Sequence, residues 1–387
     1  MATISNRFWF QLHGWFSLPV WIVFCVVCLT GTIAVVSHEI TWLTNPQARA
    51  LNPNNLVEKP SDELLIIVQK AHPTANITTI MSFEPYLVHT VIFTDSDKPY
   101  AIAYVNQYTG EIQEINQGMT FTSFMRSLHG WLLFPWNGSY SIGYYLVSAM
   151  AIAMLGALIT GLIIYKNFWR SFTQPKLRFN QGKKTVLADL HRLAGVWSLW
   201  FLLLMSITGL WYLFQAMLWH ADVDIDPHAP IITVEQLPQN NNEIPIASTT
   251  LADALTIAKQ RFPDFEDTYI MLPEHNRDTY KLYGKGDFIF YDEYSYGVTI
   301  NPWSGKINSE RAPNDMTILQ TLSHVANPLH YGNIGGLWTK LIWFLFGILL
   351  TGMSITGFLM WGNRTVKSAK NSHTETNEQS LAISQEQ

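Results

Sequence analysis

His13-Gly14-Trp15-Phe16-Ser17-Leu18 opens an uncharged apolar stretch that closes on Leu29-Thr30-Gly31, and His191-Arg192-Leu193-Ala194-Gly195-Val196 opens another that closes on Ile207-Thr208-Gly209. In both copies the glycine follows the histidine by 18 residues. On a continuous helix that is five turns, so each histidine and its glycine are expected on one face, roughly 27 Å apart. His38 and His220 extend the pattern, each falling within about 20° of the face of His13 or His191. A single histidine at a helix end is as well explained as an interfacial anchor; the matched spacing in two copies argues for more.

Working outward, the chain has 387 residues, 48% of them hydrophobic and only 14% charged, with 15 Trp and 21 Phe. Uncharged stretches at 14–37, 142–165, 193–219 and 341–361 are each long enough at 1.5 Å per residue to cross a hydrocarbon core of about 30 Å. The fold class expected is therefore an α-helical membrane protein with four transmembrane helices. The first stretch is longer than a signal-peptide apolar region and has no A-x-A-like cleavage site after it, so it is expected to be retained. Residues 166–192 carry seven Lys and Arg against the single acid Asp189, whereas 39–141 carries 5 basic against 9 acidic residues and 220–336 carries 7 against 16. The positive-inside rule then puts 166–192 and both termini in the cytoplasm and the two long segments outside. Cys25 and Cys28, the only cysteines, fall inside the first span and are expected to be apolar packing residues.

The two outer segments follow one plan. In the first, a helix over 62–71 stops before Pro73, strands are expected at 76–81, 88–94 and 100–105, and a turn at Gly110 leads to Ile112. In the second, a helix over 251–261 stops before Pro263, strands are expected at 280–283, 288–291 and 297–300, and a turn at Gly305 leads to Ile307. Helix followed by alternating runs is an α+β pattern. The whole reads as a tandem pseudo-twofold repeat of span, small outer domain, span. The boundaries are first span 1–38, outer domain 39–122, pre-span segment and second span 123–166, basic loop 167–190, third span 191–220, outer domain 221–318, pre-span segment and fourth span 319–362, and a disordered cytoplasmic tail 363–387.

His129 and His330 precede the second and fourth spans, which close on Ile-Thr-Gly at Gly161 and Gly357. With the topology above, Gly31 and Gly209 are level with His129 and His330 at the outer face, and Gly161 and Gly357 with His13 and His191 at the inner face. Small residues alone let membrane helices approach closely. Histidines from two helices matched in depth by glycines from the other two also suit a flat macrocycle with an axial ligand on each side, so two bis-histidine haem b groups are expected. The spans contain no Asp or Glu, which disfavours zinc, copper and proton-driven transport. No phosphate loop or nucleophile elbow is present either. At the inner face the ligands expected are His13 and His191. At the outer face His38, His129 and His330 compete, with His220 and His324 as outsiders; His129 and His330 are the favoured pair and His38 the replacement.

The stretches Ser37-His38-Glu39-Ile40-Thr41-Trp42-Leu43, His191–Gly195 and Asn327-Pro328-Leu329-His330-Tyr331-Gly332-Asn333-Ile334-Gly335-Gly336 resemble the PepSY-associated transmembrane helix proteins, over about residues 5–365. The resemblance implies that the outer domains are periplasmic and PepSY-like, and that the protein is an iron-regulated inner-membrane protein of a Gram-negative bacterium. It also implies a haem-containing reductase of ferric iron or a ferric siderophore. His13 departs from the family in being followed by Gly14-Trp15 rather than a basic residue, and His220 has no counterpart. Some relatives carry a fused flavoprotein domain; the tail here is not expected to bind a flavin, so the electrons would come from quinol or a separate cytoplasmic reductase. Partners are thus the lipid bilayer, an electron donor and ferric iron, with no nucleic acid. Asp222, Asp224 and Asp226 are candidates to attract a cation, and Tyr291, Tyr294 and Tyr296 to pack against a chelator. The alternative is a non-redox PepSY interaction or regulatory module, or an assembly partner of an uptake complex, with the histidines as anchors.

Overall fold

The computed structural model describes residues 5–227, 229–238 and 248–385, with side chains described as far as residue 363. The expected outer domain 221–318 therefore includes positions outside the described residues. Three helices are long and apolar enough to cross a membrane, Ile142–Ile164, Leu199–His220 and the Leu337–Asn363 part of a longer helix; Asn6–Ser17 and Trp21–Val35 qualify together as a fourth, bent by 63°.

α1 (Asn6–Ser17) starts on Ser5, whose hydroxyl oxygen accepts from the Phe8 amide, satisfying one of the amides a helix start leaves free. It ends where Pro19 follows, and α2 (Trp21–Val35) leaves at the new angle; proline removes a backbone donor and collides with the preceding turn. α3 (Ser37–Thr44) follows. In the second half α8 (Lys183–Trp197) is likewise separate from α9 (Leu199–His220), with Ser198 between them. The expectation that His13 and Gly31, or His191 and Gly209, share a face of one helix is therefore overturned: in each copy a break lies between them. His38 is on α3, beyond a second break.

Between these come α4 (Ser61–Ala71), β1 (Asn76–Met81), β2 (His89–Asp95), β3 (Lys98–Val105), β4 (Ile112–Asn116), α5 (Phe121–Trp131), α6 (Ile142–Ile164) and the short α7 (Phe168–Thr173). After α9 come α10 (Leu251–Arg261), β5 (Glu266–Met271), β6 (Tyr280–Lys285), β7 (Tyr296–Ile300), β8 (Ile307–Arg311), α11 (Ile318–Tyr331) and α12 (Leu337–Gln385). Residues 288–291 are a turn rather than the expected strand, with Phe288 and Ile289 exposed. Gly286 and Asp287 before the run and Asp292 after it interrupt a ladder, and the strand partner that matters is the unexpected β5. The polar tail, expected to be disordered, continues α12 to Gln385; it contains no Pro or Gly after Gly362 and many Lys, Ala, Glu and Gln residues, which favour helix.

What the sequence presents as two outer domains is one antiparallel sheet of eight strands, in the order β4-β3-β2-β1-β5-β6-β7-β8. β1 and β5 join the halves through Thr79↔Met271, Ile80↔Ile270 and Met81↔Tyr269, and Ile80 and Ile270 are both buried. Each half alone would leave the backbone groups of an edge strand unpaired; pairing the two edges satisfies both. Leu64 and Val68 of α4 share a single core with Ala254 and Leu255 of α10, over Phe93, Phe265 and Leu282.

The helix contacts come in corresponding sets: α1 on α6 and α8 on α12, α2 on α5 and α9 on α11, α2 on α12 and α9 on α6. The last set crosses between halves, so the membrane part is interlocked.

Candidate functional site

The packing of α1 on α6 and of α8 on α12 brings His13 and His191 together, with ring centroids 6.3 Å apart and planes nearly perpendicular at 85°. On the side of the sheet, α5 and α11 bring His129 and His330 together, with centroids 6.1 Å apart and planes at 31°. Two imidazoles binding one metal through Nε2 at about 2 Å, with roughly 1 Å from that nitrogen to each ring centre, would have centroids about 6 Å apart. Both pairs have that spacing.

The hydrogen bonds settle which ring nitrogen carries the proton. His13 Nδ1 lies 3.0 Å from the Ala157 carbonyl and 3.0 Å from Thr160 Oγ1, while Thr160 donates its own proton to the Gly156 carbonyl. His191 Nδ1 repeats this with the Met353 carbonyl at 3.0 Å and Thr356 Oγ1 at 3.2 Å, and Thr356 donates to Gly352. His129 Nδ1 donates to the Val27 carbonyl at 3.0 Å. His330 Nδ1 is 2.8 Å from Thr208 Oγ1, which donates to the Leu204 carbonyl. His13, His129 and His191 each meet a carbonyl, which can only accept, so these three carry the proton on Nδ1 and keep the Nε2 lone pair, as metal-ligating histidines do when an outer partner orients them; Thr208, its own proton given to its helix, suits the same tautomer at His330. Among the described residues there is no group of three or more His, Cys, Asp or Glu placed to hold a metal ion, so the donor set is two imidazoles per site, which fits haem iron.

Three of the four glycines lie against the histidines expected at their depth. A Cβ on Gly31 would sit 2.6 Å from His129 Cε1, one on Gly357 would sit 3.2 Å from His191 Cε1, and one on Gly161 would sit 3.5 Å from His13 Cε1. They make room for the imidazoles of the facing helices. Gly209 does not seat His330: a Cβ there would meet the Cβ of Ala151 on α6 at 2.8 Å, and it is Thr208 beside it that holds the histidine. The threonine of the repeated Thr-Gly was the missed signal.

A cavity of about 530 Å³, lined by His129, His330, Gly31, Tyr212, Met154 and Leu350, extends from between the spans to His38, Tyr269 and Tyr294 beneath the sheet. Its size is that of a cofactor or small-ligand site. His38 is in its roof and not in a facing pair: its Nδ1 is 3.7 Å from Glu84 Oε1 and its ring rests on Phe83. Burial holds the His38 imidazole below its ordinary pKa in spite of Glu84. Lys340, a second residue that went unnoticed in the sequence, is buried at the start of α12 and pairs with Glu39 at 3.0 Å and with Glu84.

The other candidates scatter. His220 ends α9, exposed, against Tyr140 and Tyr145. Tyr294 lines the cavity, but Tyr296 packs on Phe262 and Phe265 and Tyr291 on Phe288. Asp226 pairs with Arg311 and His324. Cys25 and Cys28 are free thiols on α2.

Compared with known families, residues 10–364 match the model described as PepSY-associated TM region. No curated protein matches the chain.

Proposed function

The chain belongs to the PepSY-associated transmembrane family, and from that premise we propose that it is a haem b protein of the bacterial inner membrane that passes electrons to periplasmic ferric iron, carried by a siderophore. The observation that supports this best is the pair of facing imidazole couples, His13 with His191 and His129 with His330, each ring donating from Nδ1 and each couple at the spacing one shared metal needs. A haem held at each couple would supply reversible one-electron chemistry between ferric and ferrous iron.

The rest is the work of this chain's residues. Thr160, Thr356, Thr208 and the Val27 carbonyl orient the rings, and the breaks at Pro19 and Ser198 let His13 and His191 turn toward one another. Ala151, beside Gly209, and Gly161, beside His13, are ten residues apart on α6, which places the two couples about 15 Å apart along the helix axis. That is half the roughly 30 Å of the hydrocarbon core, so two sites divide the crossing. The basic loop 166–192 marks its side as cytoplasmic, and electrons delivered there by quinol or a separate reductase would meet the inner couple first.

The test is the absorption spectrum of the purified protein with haem quantified per chain. A Soret band that shifts on dithionite reduction and a ratio of two are expected, with reduction of a ferric chelate following. A purified protein without a Soret band overturns the proposal.

A further inference from the structure

Away from the facing couples, one imidazole is held differently. His324 on α11 is 4% exposed. Its Nδ1 donates to Asp292 Oδ1 at 2.7 Å, and its Nε2 faces Asp226 Oδ2 at 3.4 Å without a hydrogen-bond partner. Asp292 is itself buried and lies in the cavity wall, whereas the Asp226 side chain is 44% exposed. The ring therefore bridges an inner carboxylate and one that meets water. From Asp292 the contacts run to the outer couple: Asn327 Nδ2 donates to Asp292 Oδ2 at 2.8 Å, the Tyr212 hydroxyl donates to Asn327 Oδ1 at 3.0 Å, and the Tyr212 ring stands edge-on to His330 at 5.1 Å. His324 and His330 are six residues apart on one helix, about 9 Å of rise.

A buried ion pair alone would tie α11 to the sheet and is weak evidence for stability. Two features go beyond that. The imidazole sits between two carboxylates where one would neutralise it, and the outer carboxylate gives its Nε2 proton a way to solvent. Resting on the haem reading above, we propose that His324 is the proton-holding group coupled to the outer histidine couple: it takes a proton at Nε2, through Asp226, when that site gains an electron, and returns it when the electron leaves. In alkaline solution, where the ring starts neutral, one electron and one proton enter together, the proton from water on the outer side and the electron from the donor already invoked; at neutral pH the ring already holds its proton and only the electron enters. Tyr212 and Asn327 keep their protons throughout.

The groups facing His324 are Asp226 from the segment after α9, Asp292 from the connection between β6 and β7, and Arg311 from β8; around these stand Tyr283 of β6 beside Arg311 and Asp226, Glu293 and Tyr294 beside Asp292, and Tyr212 of α9 through Asn327. Burial works against a charge on His324, but the Asp226 and Asp292 carboxylates override it and push the imidazole up to about 9. The sign follows. Below that pH the cation is present and favours the extra electron nearby; as pH rises through it the cation is lost and the electron is held less well.

The experiment is spectroelectrochemical titration of the haem-loaded protein between pH 6 and pH 10.5, following both haems. The outer haem's midpoint potential is expected to be flat below about pH 8 and to fall above about 9, by at most 59 mV per pH unit, the one-electron equivalent of a tenfold change in proton affinity per unit. The inner haem should stay flat. His324→Gln should abolish the descending limb and lower the outer potential at neutral pH. Asp292→Asn, or Asp226→Asn at the partly exposed position should the former fail to fold, should move the limb to lower pH. An outer potential flat over the whole range in the parent protein, or an unchanged limb in His324→Gln, overturns the inference while the haem reading stands; a parent protein that holds no haem overturns both.

Discussion

At the inner couple, Thr160-Gly161 and Thr356-Gly357 each do two jobs for the imidazole beside them. The threonine spends its proton on its own helix, so its oxygen is left to accept from the imidazole, and the glycine leaves room for the ring. The consequences are graded by distance. In Gly31→Ala the new methyl would sit 2.6 Å from His129 Cε1, closer than unbonded carbons approach, so His129 must leave its place and about half the haem should be lost. In Gly161→Ala the corresponding distance is 3.5 Å, an ordinary contact, and haem content should be unchanged. Thr208→Val removes the acceptor at His330 Nδ1 and should weaken haem retention at the outer couple about tenfold or more, as losing an orienting partner of a metal ligand does. Haem quantification after detergent exchange checks all three.

Among the elements, the breaks matter more than the helices. α1 and α2 together have the length of one span, yet the 63° bend at Leu18-Pro19-Val20 is what carries His13 across to His191. Pro19→Ala restores the missing backbone donor and relieves the ring clash, so α1 should straighten onto α2 and draw His13 away from Gly161. The protein should still insert, since hydrophobicity barely changes, but the inner haem should fall to a small fraction of its parent content, read from haem stoichiometry and the low-spin ferric EPR signal. Full inner-haem retention would mean that packing of α1 on α6, rather than proline, sets the bend.

At the level of the whole molecule, the sheet closes over the bundle at one seam, where Ile80 meets Ile270, and the cavity reaches from the outer couple to residues on both sides of that seam, Met81 and Tyr269. The function proposed above requires this sheet to lie opposite the basic loop. A reporter inserted at Ser96, in the turn between β2 and β3, should be periplasmic and one at Gln181 cytoplasmic. The reverse result would turn the direction of electron flow around.

Spans, most sheet-forming segments (not β5, nor the turn at 288–291) and the four paired histidines were legible in the chain because hydropathy, charge counts and side-chain periodicity are local sums, and a residue contributes to them whatever lies across the fold. Residues 142–164 are a span by their own composition, and β1 is a strand by its own alternation. Three things were decided only by tertiary structure. The helix breaks replaced a shared helix face with contacts between helices, so His13 is held by α6 and His191 by α12 rather than each sharing a face with Gly31 or Gly209. The edges of β1 and β5, unsatisfied in isolation, found each other and made one sheet from two halves. The state of each imidazole was settled by an acceptor 102 to 165 residues away. A hydrogen bond has a direction and a range of about 3 Å, and no pattern along a chain specifies which distant groups will meet within it.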